Sequence, residues 1–248
     1  MPTRRVFLQA AAGAVLLAAA GGRAAETIRI EAVCFDAFVL FDPRPIGTVA
    51  EEVAPNRGRE LVTAWRTRQF EYCWLRSLGG PYADFWQITQ DALDFAVEQL
   101  KLDLPAAHRQ RLLDAHLQLK AWPDVAEGLK SLKSAGVRVA ILSNFGPKML
   151  DAAVAASGLN GRLDAMLSTD MIRSYKPDAR AYQLGVDRLK LSREQICFAA
   201  FAGWDVAGAK WFGYPTFWVN RLSSPPERLD AKADASGAMP ELVKFVTG

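Results

Sequence analysis

Short, nearly continuous apolar runs alternate with segments of helical periodicity over most of this chain. The runs Ile30 to Phe35, Val137 to Leu142, Ala165 to Ser168, Ile196 to Phe201 and Thr216 to Val219 predict five strands. Runs of this kind, with helical stretches between most of them, predict a parallel sheet covered by helices on both faces. The rhythm is interrupted once. From Ile46 to Lys120 the chain is rich in Arg, Gln, Leu and aromatic residues at helical spacing and poor in strand signals, so a helical cap inserted between the first two strands is expected. Pro43 and Pro45 mark its start, and Trp122-Pro123 marks the return, with Asp124 placed to begin the next helix. The predicted class is α/β: a doubly wound parallel-sheet core of residues 26–45 and 121–248 with a helical cap over 46–120.

The first 25 residues stand apart from this pattern. Arg4-Arg5 precede Phe7 and Leu8, and an Ala-, Leu- and Val-rich stretch runs from Ala10 to Ala20, the outline of a twin-arginine export signal. That stretch is shorter than the ~20 strongly apolar residues a spanning helix needs. Cleavage near Ala25 or Glu26 is therefore expected, leaving a periplasmic protein without stable membrane association.

Composition narrows the function classes. Half of the 248 residues are apolar, enough for one core and a modest inserted unit. The net charge is +3, with Lys and Arg scattered among Asp and Glu, so no basic footprint for nucleic acid is visible. Cys34, Cys73 and Cys197 lie in apolar or helical runs and are odd in number, which predicts buried free thiols. His108 and His116 share one helical segment and have no partner at ligand spacing, so no metal site is expected there. Gly203 to Gly213 has no dinucleotide-binding glycine spacing, and no cofactor is implied.

In an open parallel sheet, ligands bind beyond the carboxyl ends of the strands. Asp36 directly follows the first strand, Ser143-Asn144 the second, Lys176-Pro177 the third after a loop, and Asp205 the fourth. Singly, each reads more readily as a turn or helix cap, or in the case of Lys176 as a surface cation. Their joint placement at four strand ends points to chemistry instead.

Those positions and the segments around them resemble the haloacid dehalogenase superfamily, and within it the L-2-haloacid dehalogenases. The resemblance is carried by Ala140-Ile-Leu-Ser143-Asn144, Tyr175-Lys176-Pro-Asp-Ala-Arg-Ala-Tyr182 and Gly203-Trp204-Asp205-Val-Ala-Gly-Ala-Lys210 in the core, and by Arg57 to Leu78 in the cap. It implies a Rossmann-like core and hydrolysis of a 2-haloalkanoic acid to a 2-hydroxy acid of inverted configuration. Asp36 would attack the carbon bearing the halogen. Positioning makes a modest nucleophile effective. Arg66, Asn144 and the ring edge of Trp204 would cradle the halide, and Ser143 would hold the substrate carboxylate. Lys176 would keep Asp36 ionised, with Asp205 and Tyr182 positioning the lysine and Asp205 orienting water. Phe38, Phe70, Phe145, Phe201 and Trp204 would shape the pocket, and Trp65, Phe70, Tyr72 and Trp74 read as cap core and pocket wall. Relatives with this cap are often dimers, so a homodimer is plausible.

Two departures qualify that reading. Phosphatases of the superfamily carry a second Asp two residues after the nucleophile, where this chain has Phe38; the missing acid and the sparse carboxylates predict metal-independent hydrolysis. The dehalogenases usually have Gly-Thr after the nucleophile, and Ser and Asn ahead of the tryptophan. Here those places hold Val39-Leu40, Ala200 and Ala202. Losing one such donor costs a few kcal/mol of barrier. A second reading follows: an impaired relative that binds a small acid or a protein without completing turnover.

Overall fold

The computed structural model describes residues 29–248, and the export signal expected over residues 1–25 lies outside them. Six strands form one parallel sheet: Ala32–Phe35 (β1), Arg138–Ser143 (β2), Ala165–Ser168 (β3), Ile196–Ala200 (β4), Thr216–Trp218 (β5) and Ala235–Ser236 (β6). Their order is β3-β2-β1-β4-β5-β6. The sheet thus grows outward on both sides of β1, and the crevice at that reversal is where a ligand is bound in this class of fold. β6 was not foreseen; two residues carry no readable apolar run.

The near-continuous apolar strands have a direct cause. Val33, Phe35, Val139, Ile141, Cys197 and Ala199 enter one buried cluster, which they share with Leu129, Leu132, Met149, Leu150 and Leu242. Ala32, Cys34, Ala140, Leu142 and Phe198 point the other way, into a cluster with Tyr182, Leu184, Val206 and Phe212. The first set packs under Val125–Ser134 (α5), Pro147–Ala156 (α6) and Met239–Thr247 (α9), the second under Ala179–Leu189 (α7) and Gly203–Phe212 (α8). Because both faces are covered, neither phase of the strand period can be polar. Cys34, Cys73 and Cys197 are buried free thiols.

Between β1 and β2 the chain leaves the sheet for four helices: Arg44–Val53 (α1), Gly58–Gly79 (α2), Phe85–Gln99 (α3) and Ala106–Leu117 (α4). A two-residue antiparallel ribbon closes this excursion, Phe41 opposite Ala121 and Asp42 opposite Lys120. α1 and α2 approach so closely that a Cβ on Gly58 would overlap backbone atoms of Ala50 and Glu51. α2 and α3 are tied by Trp65 Nε1 and Gln69 Nε2, which donate to the carbonyl and hydroxyl oxygens of Thr89 at 2.8 and 2.7 Å. Asp124 stands just before α5 without capping it by side chain; its carboxylate is engaged by Arg221 instead. Among the described residues no helix is long and apolar enough to cross a membrane.

Candidate active site

β1 ends at Phe35 and passes at once into a single helical turn, Ala37–Leu40. Asp36 caps it: Oδ2 accepts from the Phe38 amide at 3.0 Å, the usual behaviour of an Asp at a helix start. The other oxygen, Oδ1, accepts from Lys176 Nζ at 2.8 Å. The side chain keeps 15% exposure, whereas its lysine partner keeps 1%. The carboxylate is therefore the end of the pair that a ligand can reach.

Lys176 Nζ also donates to Asp205 Oδ2 at 2.5 Å, and Tyr182 donates its hydroxyl to Asp205 Oδ1 at 2.7 Å. Tyr182 thus acts on the lysine through Asp205 and not directly. Burial alone would lower the Lys176 ammonium, but the two carboxylates facing it outweigh that and hold it above the ordinary lysine value. Asp205 feels the opposite balance. Burial raises it, the charge of Asp36 adds to the rise, Lys176 and Tyr182 oppose it, and the result is pushed up to about 6. The ammonium fills the gap between the carboxylates, the place a bridging cation would need. Among the described residues no cluster of three His, Cys, Asp or Glu side chains is placed to hold a metal.

A cleft of about 360 Å³ opens over Asp36. Asp36 and Arg66 both line it, together with Ser143, Asn144, Asp205 and a wall of Phe38, Phe70, Phe85, Phe145, Phe201 and Trp204. Arg66 reaches in from α2 with its guanidinium 5.6 and 5.9 Å from the ring centroids of Phe38 and Phe70. No carboxylate among the described residues lies within ion-pair distance of it. Burial lowers its pKa and the charge of Asp36 resists that. Trp204 packs edge-on against Phe70 at 5.2 Å and Trp74 at 5.8 Å.

Asn144 shows which way the site is polarised. Its Oδ1 accepts from the Lys176 amide at 2.9 Å and from Thr169 Oγ1 at 3.3 Å, leaving Nδ2 buried and without a partner. An orphaned buried donor costs about 1–3 kcal/mol, a cost that an anion in the cleft would remove. Ser143 Oγ accepts from the Phe145 amide at 3.1 Å, so its hydroxyl hydrogen is left to donate. Opposite these donors the wall is apolar. Leu40 and Ala200 are fully buried and Ala202 lines the cleft, so none of the three contributes a donor. The arrangement presents the Asp36 carboxylate to a largely apolar cleft that also holds a guanidinium and an unpartnered amide donor.

The family model for haloacid dehalogenase-like hydrolases matches residues 8–213. The chain belongs to that family. It is 42% identical over 206 residues to an (S)-2-haloacid dehalogenase of Pseudomonas sp. (strain YL), covering 83% of this chain and 89% of that protein. The crystal structure of the L-2-haloacid dehalogenase RSc1362 superposes with a TM-score of 0.86 at 40% identity, covering 89% of this chain and all of that one. The L-2-haloacid dehalogenase of Xanthobacter autotrophicus with chloropropionic acid covalently bound superposes with a TM-score of 0.81 at 34% identity, covering 88% and 99%. The Rossmann-like α/β core read from the sequence is the fold of these family members.

The residues singled out for catalysis and halide binding lie in this one region, whereas Trp65 packs on His116 and Tyr72 on Phe95, and neither lines the cleft. Asp36, Phe38, Arg66, Ser143, Asn144, Trp204 and Asp205 line the cleft; Lys176 and Tyr182 stand behind it, fully buried. Sequence reasoning missed two contributors. Phe85 joins the wall from the first turn of α3, and Thr169 steadies Asn144 from the short turn after β3. Neither carries a signal of its own: one is an aromatic on an amphipathic helix, the other a hydroxyl after a strand.

Proposed function

We propose that this chain hydrolyses L-2-haloacids to 2-hydroxy acids through an ester on Asp36. The observation that carries the reading is that Asp36, Arg66 and Asn144, whose Nδ2 is buried without a partner, line a single cleft. The Xanthobacter autotrophicus relative with chloropropionic acid covalently bound supports an ester of this kind. One carboxylate oxygen of Asp36 attacks C2, the carbon-halogen bond breaks, and the halide departs with the bonding pair toward Arg66, Asn144 and Trp204. Apolar walls strengthen those contacts by excluding water. Lys176 Nζ, bonded to Asp36 Oδ1, holds the carboxylate in place before the attack.

In the second step water adds to the ester carbonyl carbon of Asp36 and the acyl-oxygen bond breaks. The 2-hydroxy acid leaves with C2 inverted, the carboxylate is restored, and one proton is released. Once esterified, Asp36 no longer carries charge, so Lys176 turns its full attraction to Asp205, which lines the cleft and orients the water. Halide release from L-2-chloropropionate tests the proposal: Asp36→Asn is expected to abolish sustained release while the folded protein persists. Undiminished release from that variant would sink it. A single burst in the native chain, with the adduct retained on Asp36, would place the barrier at the ester, where the hydroxyl and amide donors usual in the family are replaced by Leu40, Ala200 and Ala202.

A further inference from the structure

We propose that Trp122 and Arg221 are positioning residues for Asp36, acting by holding the turn that this carboxylate caps. The proposal rests on the reading of Asp36 as nucleophile. The direction of the carboxylate is set locally, because Oδ2 is bonded to the Phe38 amide of the turn it begins. With Leu40 offering no hydroxyl, the hydrogen bonds that fix the Asp36 side chain are those to Phe38 N and Lys176 Nζ. Any drift of Ala37–Leu40 therefore moves the attacking oxygens, and a displacement of about 1 Å at such a centre can cost a hundredfold in rate.

Three successive carbonyls of that turn are held from outside it. Trp122 Nε1 donates to Phe38 O at 3.0 Å, Arg221 Nε donates to Val39 O at 3.2 Å, and the Trp122 amide donates to Leu40 O at 3.0 Å. The holders are themselves fixed. Arg221 spans the Asp124 carboxylate at 2.9 and 3.1 Å, its side chain is only 10% exposed, and its guanidinium packs 4.8 Å from the Trp122 ring centroid. Arg44 packs on the same ring at 4.6 Å. Asp124 Oδ2 also accepts from the Met239 amide at 3.4 Å. A bidentate, stacked arginine is the geometry that loses least entropy per bond and tolerates least substitution. Trp122, Asp124 and Arg221 are absent from the cleft wall. Their effect on chemistry passes through the turn, which is what separates them from residues that touch substrate.

Trp122→Phe isolates the effect, since it keeps an aromatic ring for both guanidiniums and deletes only the bond to Phe38 O. Arg221→Met removes the bond to Val39 O. Two readouts are needed. In single-turnover alkylation by L-2-chloropropionate, followed by intact mass and corrected for folded fraction by melting, each variant is expected to form the Asp36 adduct about tenfold more slowly at saturation. The half-saturating concentration should stay within twofold. A crystal structure of Trp122→Phe is expected to show the Asp36 contacts to Phe38 N and Lys176 Nζ lengthened. Alkylation within twofold of the native rate, a change confined to half-saturation, or slowed alkylation with both contacts intact each overturns the proposal. If the native chain neither forms an adduct nor releases halide, the dehalogenase reading fails on its own. The crystal structure then decides alone, and unchanged contacts overturn the clamp.

Discussion

At the scale of single residues, the four linked groups Tyr182, Asp205, Lys176 and Asp36 set how the site responds to pH. Asp205 is raised to about 6, so on acidification through that value its carboxyl takes up a proton and Lys176 loses one of its two anionic partners. We expect kcat/KM for L-2-chloropropionate to fall as pH drops through about 6. The hydroxyl of Tyr182 holds Asp205 lower than burial alone would, so Tyr182→Phe should move that limb to higher pH. A limb that stays in place in this variant would assign it to another group. His116 gives the converse case in the cap. It is buried against Trp65, 4.8 Å between ring centroids, and desolvation lowers it from 6.5 to about 4. A base that stays neutral when folded but protonates when unfolded contributes stability above 6.5 that is lost as pH falls toward 4. That loss is on the order of 3 kcal/mol. Urea unfolding at pH 7 and pH 4.5 should show a fall in stability that shrinks by most of this amount in His116→Phe.

Residue-level legibility divides along the same line. Asp36, Ser143, Asn144 and Asp205 were visible because each follows a strand or its loop, and strand ends can be read from where an apolar run stops. Arg66 was visible only through resemblance. Periodicity shows that α2 has faces but not which one looks onto the sheet, and its neighbours Arg59, Arg68 and Arg76 are equally basic. Arg221 was not legible at all, because its role depends on meeting Trp122 and Asp124 across 97 positions of sequence in the case of Asp124.

At the scale of elements, α8 must lie close to α7 for Tyr182 to reach Asp205, and Gly208 permits it. A Cβ there would overlap the Tyr182 hydroxyl and sit 2.8 Å from Pro177 Cβ. Gly208→Ala therefore presses on the phenol and on the residue that follows Lys176. Overpacking of this sort costs about 1–3 kcal/mol, and here the displacement falls on the catalytic chain. Turnover should drop by more than the loss of folded protein explains, a comparison made by measuring activity and melting on one sample. Equal losses in both would make Gly208 a packing residue alone. The helices and long strands were legible because each buries a continuous stripe; the ribbon of Phe41–Asp42 with Lys120–Ala121 was not. Two residues make no pattern, and their pairing is set by the ends of an insertion that must return to its point of departure.

At the scale of the whole molecule, the cap is fastened to the core at a second place besides that ribbon. Tyr82 donates to Asp170, Tyr175 donates to the Ala83 carbonyl, and the Tyr175 amide donates to Ser77 Oγ at 3.2 Å. The Tyr82 and Tyr175 rings stack at 5.7 Å, and Arg173 lies over Tyr82 at 4.7 Å. Tyr175 immediately precedes Lys176, so this fastening bears on the lysine as well as on closure. Single bonds of this kind are worth about 1 kcal/mol each. Ser77→Ala combined with Tyr82→Phe should speed amide exchange in residues 80–84 and 170–175 and raise KM several-fold, leaving exchange in β1 and β2 unchanged. Uniform acceleration across the sheet would mean that the fastening supports global stability and does not control access to the cleft.

The ribbon at the base of the cap has a further consequence. Asp42 and Lys120 are cross-strand neighbours, so the stretch between them departs from and rejoins the fold at one spot, like a drawer on a single runner. Lifted out, it would take away Arg66, Phe70 and Phe85, whereas Asp36, Lys176 and Tyr182 all belong to the polypeptide that stays behind. The nucleophile and the guanidinium share of the halide cradle are thus written in separable stretches of polypeptide. A lineage, or a protein engineer, can exchange the second as one contiguous cassette without rewriting the first.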